Sequence, residues 1–315
     1  MKRKAIITSL SGPLLKREEK ILISKEKPWG IILFKRNIKT FEQTKNLINN
    51  IKKTMKDKSY PILIDEEGGT VTRLSNVIDN KDFSQKLFGD IYKINKKMSI
   101  KLYQLYIFKI CSVLKSIGIN INTVPVLDIL TKNTHKIIGS RSYSDNKKII
   151  KKLSIVCENS YKLNKIATVI KHIPGHGCSN VDSHKSLPVV KNSIKKLLIN
   201  DFNCFKEKKS FFAMTAHIIY SKLDSENVAT HSKFIIRKII RKKLGFKGII
   251  ISDDISMKAL KHDLLTNAKK SLEAGCNLVL YCSGNHKDSA KLLKFLPQID
   301  NFTLKKTSEF YKFLS

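Results

Sequence analysis

Eight short apolar or β-branched runs, at 5–8, 30–34, 61–64, 119–126, 167–170, 211–215, 248–251 and 277–281, recur along the chain with helical patterns between them. One interval opens with Thr40-Phe41-Glu42-Gln43, which reads as a capping box, and continues with Phe41, Leu47, Ile48, Ile51 and Met55 on one stripe. Another opens at Ser193 and carries Ile194, Leu197, Leu198, Phe202 and Phe205. Strand and helix in alternation require a parallel sheet, because a parallel strand can be reached only by a crossover. Eight such units in 315 residues match the count and size of a (β/α)₈ barrel, with a doubly wound open sheet as the alternative. No linker or composition break divides the chain, so residues 1–315 are expected to form a single barrel domain. The apolar stretches 292–296 and 310–314 are the helices that would close it.

Composition narrows the function classes. Lys and Arg number 60 against 26 Asp and Glu, a net charge of +34, yet only 7 of the 60 are Arg. The Lys excess travels with Ile and Asn, as in an AT-rich genome, and is scattered as in Ile51-Lys52-Lys53 and Ile194-Lys195-Lys196. Solvated helix faces explain it better than a nucleic-acid footprint, which would concentrate Arg. A basic field can still favour an anionic substrate. The six cysteines contain no C-x-x-C pair and read as reduced cytosolic thiols. The basic start Met1-Lys2-Arg3-Lys4 precedes an apolar stretch that Gly12-Pro13 interrupts, so a first strand is expected rather than a leader. No run is long and apolar enough to cross a bilayer. The expectation is a cytoplasmic monomer with no cofactor, no metal and no nucleic-acid or membrane partner.

In such a barrel the chemistry sits where the strands end. Strand 3 ends in Asp65-Glu66-Glu67-Gly68-Gly69 with Arg73 following, strand 4 in Asp128, strand 5 in Lys171-His172, strand 6 in Ala216-His217 and strand 7 in Ser252-Asp253-Asp254. A charged residue after a strand is ordinarily a solvated cap, but five convergent ends exceed what capping explains. The stretch from Lys171 to His184 adds His172, His176, Asp182 and His184 around Gly175 and Gly177. One reading makes those four side chains metal ligands. Against it, the glycines bend the loop, and no helix presents two histidines on one face. The other reading is an Asp182–His184 dyad, in which the carboxylate supports an imidazole that donates and accepts a proton.

Four collinear motifs, Asp65-x-Glu67-Gly68-Gly69-x-Val71-x-Arg73, Lys171-His172-x-Pro174-Gly175-His176-Gly177 leading to Asp182-Ser183-His184, Met214-x-Ala216-His217, and Ser252-Asp253-Asp254-x-Ser256-Met257, resemble glycoside hydrolase family 3. The likeness runs from about residue 5 to 284, leaving 285–315 for terminal helices, and is strongest to its single-domain bacterial β-N-acetylglucosaminidases of cell-wall recycling. The resemblance implies that Asp253 is the nucleophile of a retaining double displacement and that His184 with Asp182 is the acid/base pair. It implies that Asp65, Arg73, Arg141, Lys171 and His172 hold an N-acetylglucosamine, with His217 grouped among them, and that Asp254 supports the loop. Thr70, Glu66 and Ser140 depart from the family pattern, which usually has Arg, Gln or His, and Asp there. The implied substrate is a GlcNAc-1,6-anhydroMurNAc peptide, with another family 3 β-glycoside or phosphorolysis as alternatives. Lys171 and His172 are expected beside Asp253, keeping it ionised. The residues after Asp253 are taken up by strand 8 and its helices, so the proton donor is expected on a barrel loop.

Overall fold

The computed structural model describes residues 3–131, 138–179 and 187–315. The eight strands are β1 Lys4–Thr8, β2 Pro28–Leu33, β3 Ile62–Ile64, β4 Ile121–Asn122, β5 Ala167–Ile173, β6 Phe212–Thr215, β7 Ile249–Asp254 and β8 Leu278–Leu280. Each pairs in parallel with the next, and β1 closes on β8 through Ile6 opposite Val279 and Ile7 opposite Leu280. The result is a closed barrel of eight parallel strands wrapped by helices, not the open sheet. A separate two-stranded parallel pair, Val189–Val190 with Ile219–Tyr220, lies outside the barrel.

Local sequence explains the elements. Thr40 accepts the N–H of Gln43 at 3.2 Å and starts helix Phe41–Met55, which buries Leu47, Ile48, Ile51 and Met55. The other half of the expected box differs, since Gln43 Oε1 accepts from Lys39 N at 2.9 Å rather than from Thr40. Ser193 caps a shorter helix, Ile194–Ile199, which gives way to a tight turn at Phe202–Phe205. β4 is shorter than expected because Pro125, which has no N–H to donate, interrupts its ladder. In contrast, β5 and β7 run further than expected, through His172 and Asp254. Ile173 pairs with Thr215 and Leu280 with Asp254, so the polar residues belong to the sheet.

Inside the barrel, Ile7, Trp29, Leu63, Val169, Phe212 and Ile251 are fully buried. The last helix, Asn301–Leu314, inserts Phe310 beside Phe212 and Trp29, with ring centroids 5.4 and 6.3 Å away, and Thr307 Oγ1 accepts from Trp29 Nε1 at 2.9 Å. These rings fill the end of the barrel where the strands start and leave the opposite end for polar groups. Among the described residues no helix is long and apolar enough to cross a membrane.

Candidate active site

The chain leaves β3 at Asp65 and turns back sharply. Gly68 and Gly69 adopt φ of +79° and +65°, and a Cβ on Gly68 would stand 2.2 Å from the Phe83 carbonyl oxygen. Glu67 N donates to Val71 O at 3.0 Å, which returns the chain toward its start. The Glu66 carboxylate organises the turn from inside, accepting the N–H groups of Arg73 and Leu74, both at 2.8 Å, and the Asn80 amide. Burial pushes the Glu66 carboxyl up against these hydrogen bonds. Arg73 therefore faces Asp65, Nη2 to Oδ2 at 3.4 Å.

Three cations and two carboxylates interlock above the strand ends. Glu67, with 1% of its side chain exposed, receives Arg141 in a two-pronged contact at 2.8 and 2.9 Å and Lys171 Nζ at 2.6 Å. Lys171 also donates to Asp65 at 3.2 Å and Thr123 at 2.8 Å, so its three protons are directed to Glu67, Asp65 and Thr123. Burial would push both carboxyls up, but the cations overcome it. Arg141 and Lys171 hold Glu67 down at about 2, and Lys171 and Arg73 hold Asp65 well below the ordinary range.

His172 is oriented from behind. Asp128, fully buried, takes His172 Nδ1 at 2.7 Å on one oxygen and the His172 and His176 backbone N–H groups, at 3.2 and 2.8 Å, on the other. Burial opposes its charge, yet His172, with His176 behind it, holds the carboxyl below its ordinary range. Arg141 Nη2 lies 3.4 Å from His172 Nε2, and a guanidinium can only donate. Nδ1 therefore carries the proton and Nε2 accepts. His176 is buried, which lowers its pKa to about 4.

Asp253 sits at the end of β7. Its N–H points to Thr215 Oγ1 at 3.4 Å, and its Oδ1 accepts from Asp254 N at 2.8 Å. Asp254 faces its own loop, accepting from Ser256 N at 3.1 Å, Ser256 Oγ at 2.7 Å and Cys282 N at 3.2 Å, while burial raises its carboxyl. His217 is buried one layer down. Nε2 faces the Asp254 carbonyl at 3.0 Å and Nδ1 faces Thr230 Oγ1 at 2.8 Å. A carbonyl only accepts, so Nε2 carries the proton, and burial lowers the ring's pKa and keeps it neutral.

Asp65, Arg73, Arg141, Lys171, His172 and Asp253 all line one pocket of about 300 Å³, together with Glu67, Phe34, Met214, Met257 and Cys282. His217 is not in its wall. Asp182 and His184 lie outside the described residues. Among the described residues no group of three or more His, Cys, Asp or Glu is arranged to hold a metal ion. The sequence reading gave no role to Glu67, Thr123 or Asp128. Glu67 stood inside a quoted motif and Asp128 at a strand end, but their partners are distant in the chain.

Residues 7–307 match the family described as glycosyl hydrolase family 3 N terminal domain. A β-hexosaminidase of Haemophilus influenzae is 31% identical over 285 residues, which span 89% of this chain and 79% of that protein. Among solved structures, NagZ from Neisseria gonorrhoeae in complex with N-trifluoroacetyl-D-glucosamine superposes with a TM-score of 0.87 at 27% identity, covering 100% of this chain and 91% of that one. The same protein in complex with zinc ion gives 0.86 at 26% identity, with coverages of 99% and 90%.

Proposed function

The chain belongs to glycosyl hydrolase family 3 and is a glycoside hydrolase of the β-N-acetylhexosaminidase type, and from that premise we propose that it is an exo-acting, retaining β-N-acetylglucosaminidase. Its substrate in this reading is a GlcNAc-1,6-anhydroMurNAc peptide of cytoplasmic cell-wall recycling. The observation that carries the reading is the pocket. At about 300 Å³ it is small for a ligand site and suits one sugar ring, and its wall holds Asp253 together with Asp65, Arg73, Arg141, Lys171 and His172. The Neisseria relative bound to a glucosamine derivative supports the choice of sugar.

Asp253 is the nucleophile. Its carboxylate attacks the anomeric carbon as the glycosidic oxygen leaves with a proton, and water then releases the sugar with net retention. Fixing Oδ1 on Asp254 N holds the rotamer before substrate arrives. Asp65, Arg73, Lys171 and Arg141 present charged donors and acceptors to sugar hydroxyls, and His172 Nε2 offers an oriented acceptor. His217 is a positioning residue that holds the Asp254 carbonyl rather than touching the sugar.

His184, supported by Asp182, donates the leaving-group proton and then activates water. What supports this is the state of the nearby carboxyls. Asp65 and Glu67 are held ionised, Asp128 is buried on His172, and Asp254, though raised by burial, has both oxygens engaged by Ser256 and Cys282 N. The test is a panel of chromogenic β-glycosides with and without phosphate, followed by trapping with a 5-fluoro glycosyl donor and mass spectrometry. Selective turnover of the N-acetylglucosaminide and a label on the Asp253 peptide are expected. Acceleration by phosphate, or a label elsewhere, would redirect the assignment.

A further inference from the structure

We infer that Asp201 is a positioning residue for this reaction: its carboxyl clasps the base of the 174–179 loop to the 127–131 segment and so sets the aim of the groups those loops carry. Asp201 lies just after helix Ile194–Ile199 and is completely buried. One carboxyl oxygen is 3.3 Å from Cys178 N on the first loop, and the other is 3.5 Å from Ile129 N on the second. The contact is close enough to exclude a side chain. A Cβ on Gly175, whose φ is +151°, would stand 2.5 Å from the Asp201 carboxyl carbon, and one on Gly177 would meet Ile129 O at 2.0 Å. Tyr220 adds a hydroxyl bond to Gly175 O from outside.

The clasp touches neither the pocket nor the sugar, yet it fixes the backbone next to Asp128 and, in sequence, shortly before the proposed dyad. Ile129 follows Asp128, which fixes His172, and Cys178 precedes Asp182 and His184 by a few residues. The second connection rests on the dyad proposed above. Burial, followed by the nearby Asp128 carboxylate, pushes the Asp201 carboxyl up to about 8.

Asp201→Ala removes both carboxyl oxygens and leaves the N–H groups of Cys178 and Ile129 without their acceptor. Amide exchange at 177–179 is expected to rise about tenfold as the loop base opens locally. Hydrolysis of diacetylchitobiose should fall about tenfold, against less than about threefold for the nitrophenyl N-acetylglucosaminide, because only the sugar leaving group depends on a well-aimed acid. Gly175→Ala, which pushes a methyl into the carboxyl, should give the same pattern and covers the case in which the first variant does not fold. Unchanged exchange in a folded variant overturns the clasp. Raised exchange with equal loss on both substrates overturns its role in aiming the acid. His184→Ala is measured alongside. If it too lacks leaving-group dependence, the dyad assignment has failed, while the exchange result still decides the clasp.

Discussion

Glu67→Gln separates a structural counter-ion from a proton donor. The wild-type carboxylate is buried, receives a two-pronged Arg141 contact at 2.8 and 2.9 Å, and accepts Lys171 at 2.6 Å. Removing one partner of a buried ion pair costs about 3–5 kcal/mol, because the other charge is left uncompensated. Asp65 still serves Lys171, which favours the lower end, about 3 kcal/mol. For a domain of this size that lowers the melting midpoint by about 5 °C. The pH dependence follows from the sign of the shift. Glu67 is held at about 2 against an ordinary 4.5, so its contribution is present above 4.5 and lost as pH falls toward 2. The midpoint difference between variant and wild type, followed by calorimetry from pH 7 down to pH 3, should therefore shrink on the acid side. Turnover should fall on aryl and sugar leaving groups alike, since Arg141 and Lys171 lose their aim. An unchanged midpoint, combined with loss confined to poor leaving groups, would refute this reasoning and make Glu67 the acid.

Asp253→Asn should fold normally, by circular dichroism, and lose turnover by several kcal/mol of barrier, since an amide cannot form the glycosyl ester; near-wild-type rates would remove it from the role. His184→Ala should slow substrates with sugar leaving groups far more than aryl ones, with partial rescue of the aryl substrate by azide and a milder version in Asp182→Ala. Glu66→Gln should be at least as stable as wild type at pH 7. The raised carboxyl loses native-state stability as pH climbs past its unfolded value, whereas a glutamine keeps the Arg73 and Leu74 bonds and, once the Asn80 amide turns over, can donate to Asn80 Oδ1, which has no partner among the described residues. The gain should vanish near pH 4, as read by thermal melts across that range. Dialysis against a chelator should leave the rate unchanged, and loss restored by zinc would return the histidine loop to a metal reading.

The barrel was legible because each strand and helix announces itself locally, by apolar runs and by caps such as Thr40 and Ser193. Strand ends were not. Lys171, His172, Asp253 and Asp254 read as loop because polar residues break an apolar run, whereas the barrel rim places polar residues within hydrogen-bonded strands. Roles that depend on distant partners were also hidden. Glu67 meets Arg141 from 74 positions away and Asp128 meets His172 from 44, and no local pattern reports either. Lys171 was expected near Asp253, and it does line the same pocket, but nothing local showed that its three protons go to Asp65, Glu67 and Thr123. His217 shares a motif with pocket residues and yet turns to Thr230 and the Asp254 carbonyl, because the chain after β6 comes back beneath it.

The charge arrangement gives a physical reason for an imidazole as proton donor. Arg73, Arg141 and Lys171 converge on the pocket, and they hold ionised the carboxyls paired with them, Asp65 and Glu67, whereas burial raises Asp254 in the same wall. A carboxylic acid paired with these cations would give up its proton long before a glycosidic oxygen needed it. Their field acts in the opposite sense on an imidazole. It disfavours the imidazolium and so makes the protonated ring a stronger acid, and in the proposed dyad a carboxylate behind the ring would restore proton affinity. A histidine with an aspartate behind it can thus work as acid and then as base in surroundings where a carboxylate paired with those cations would stay an anion.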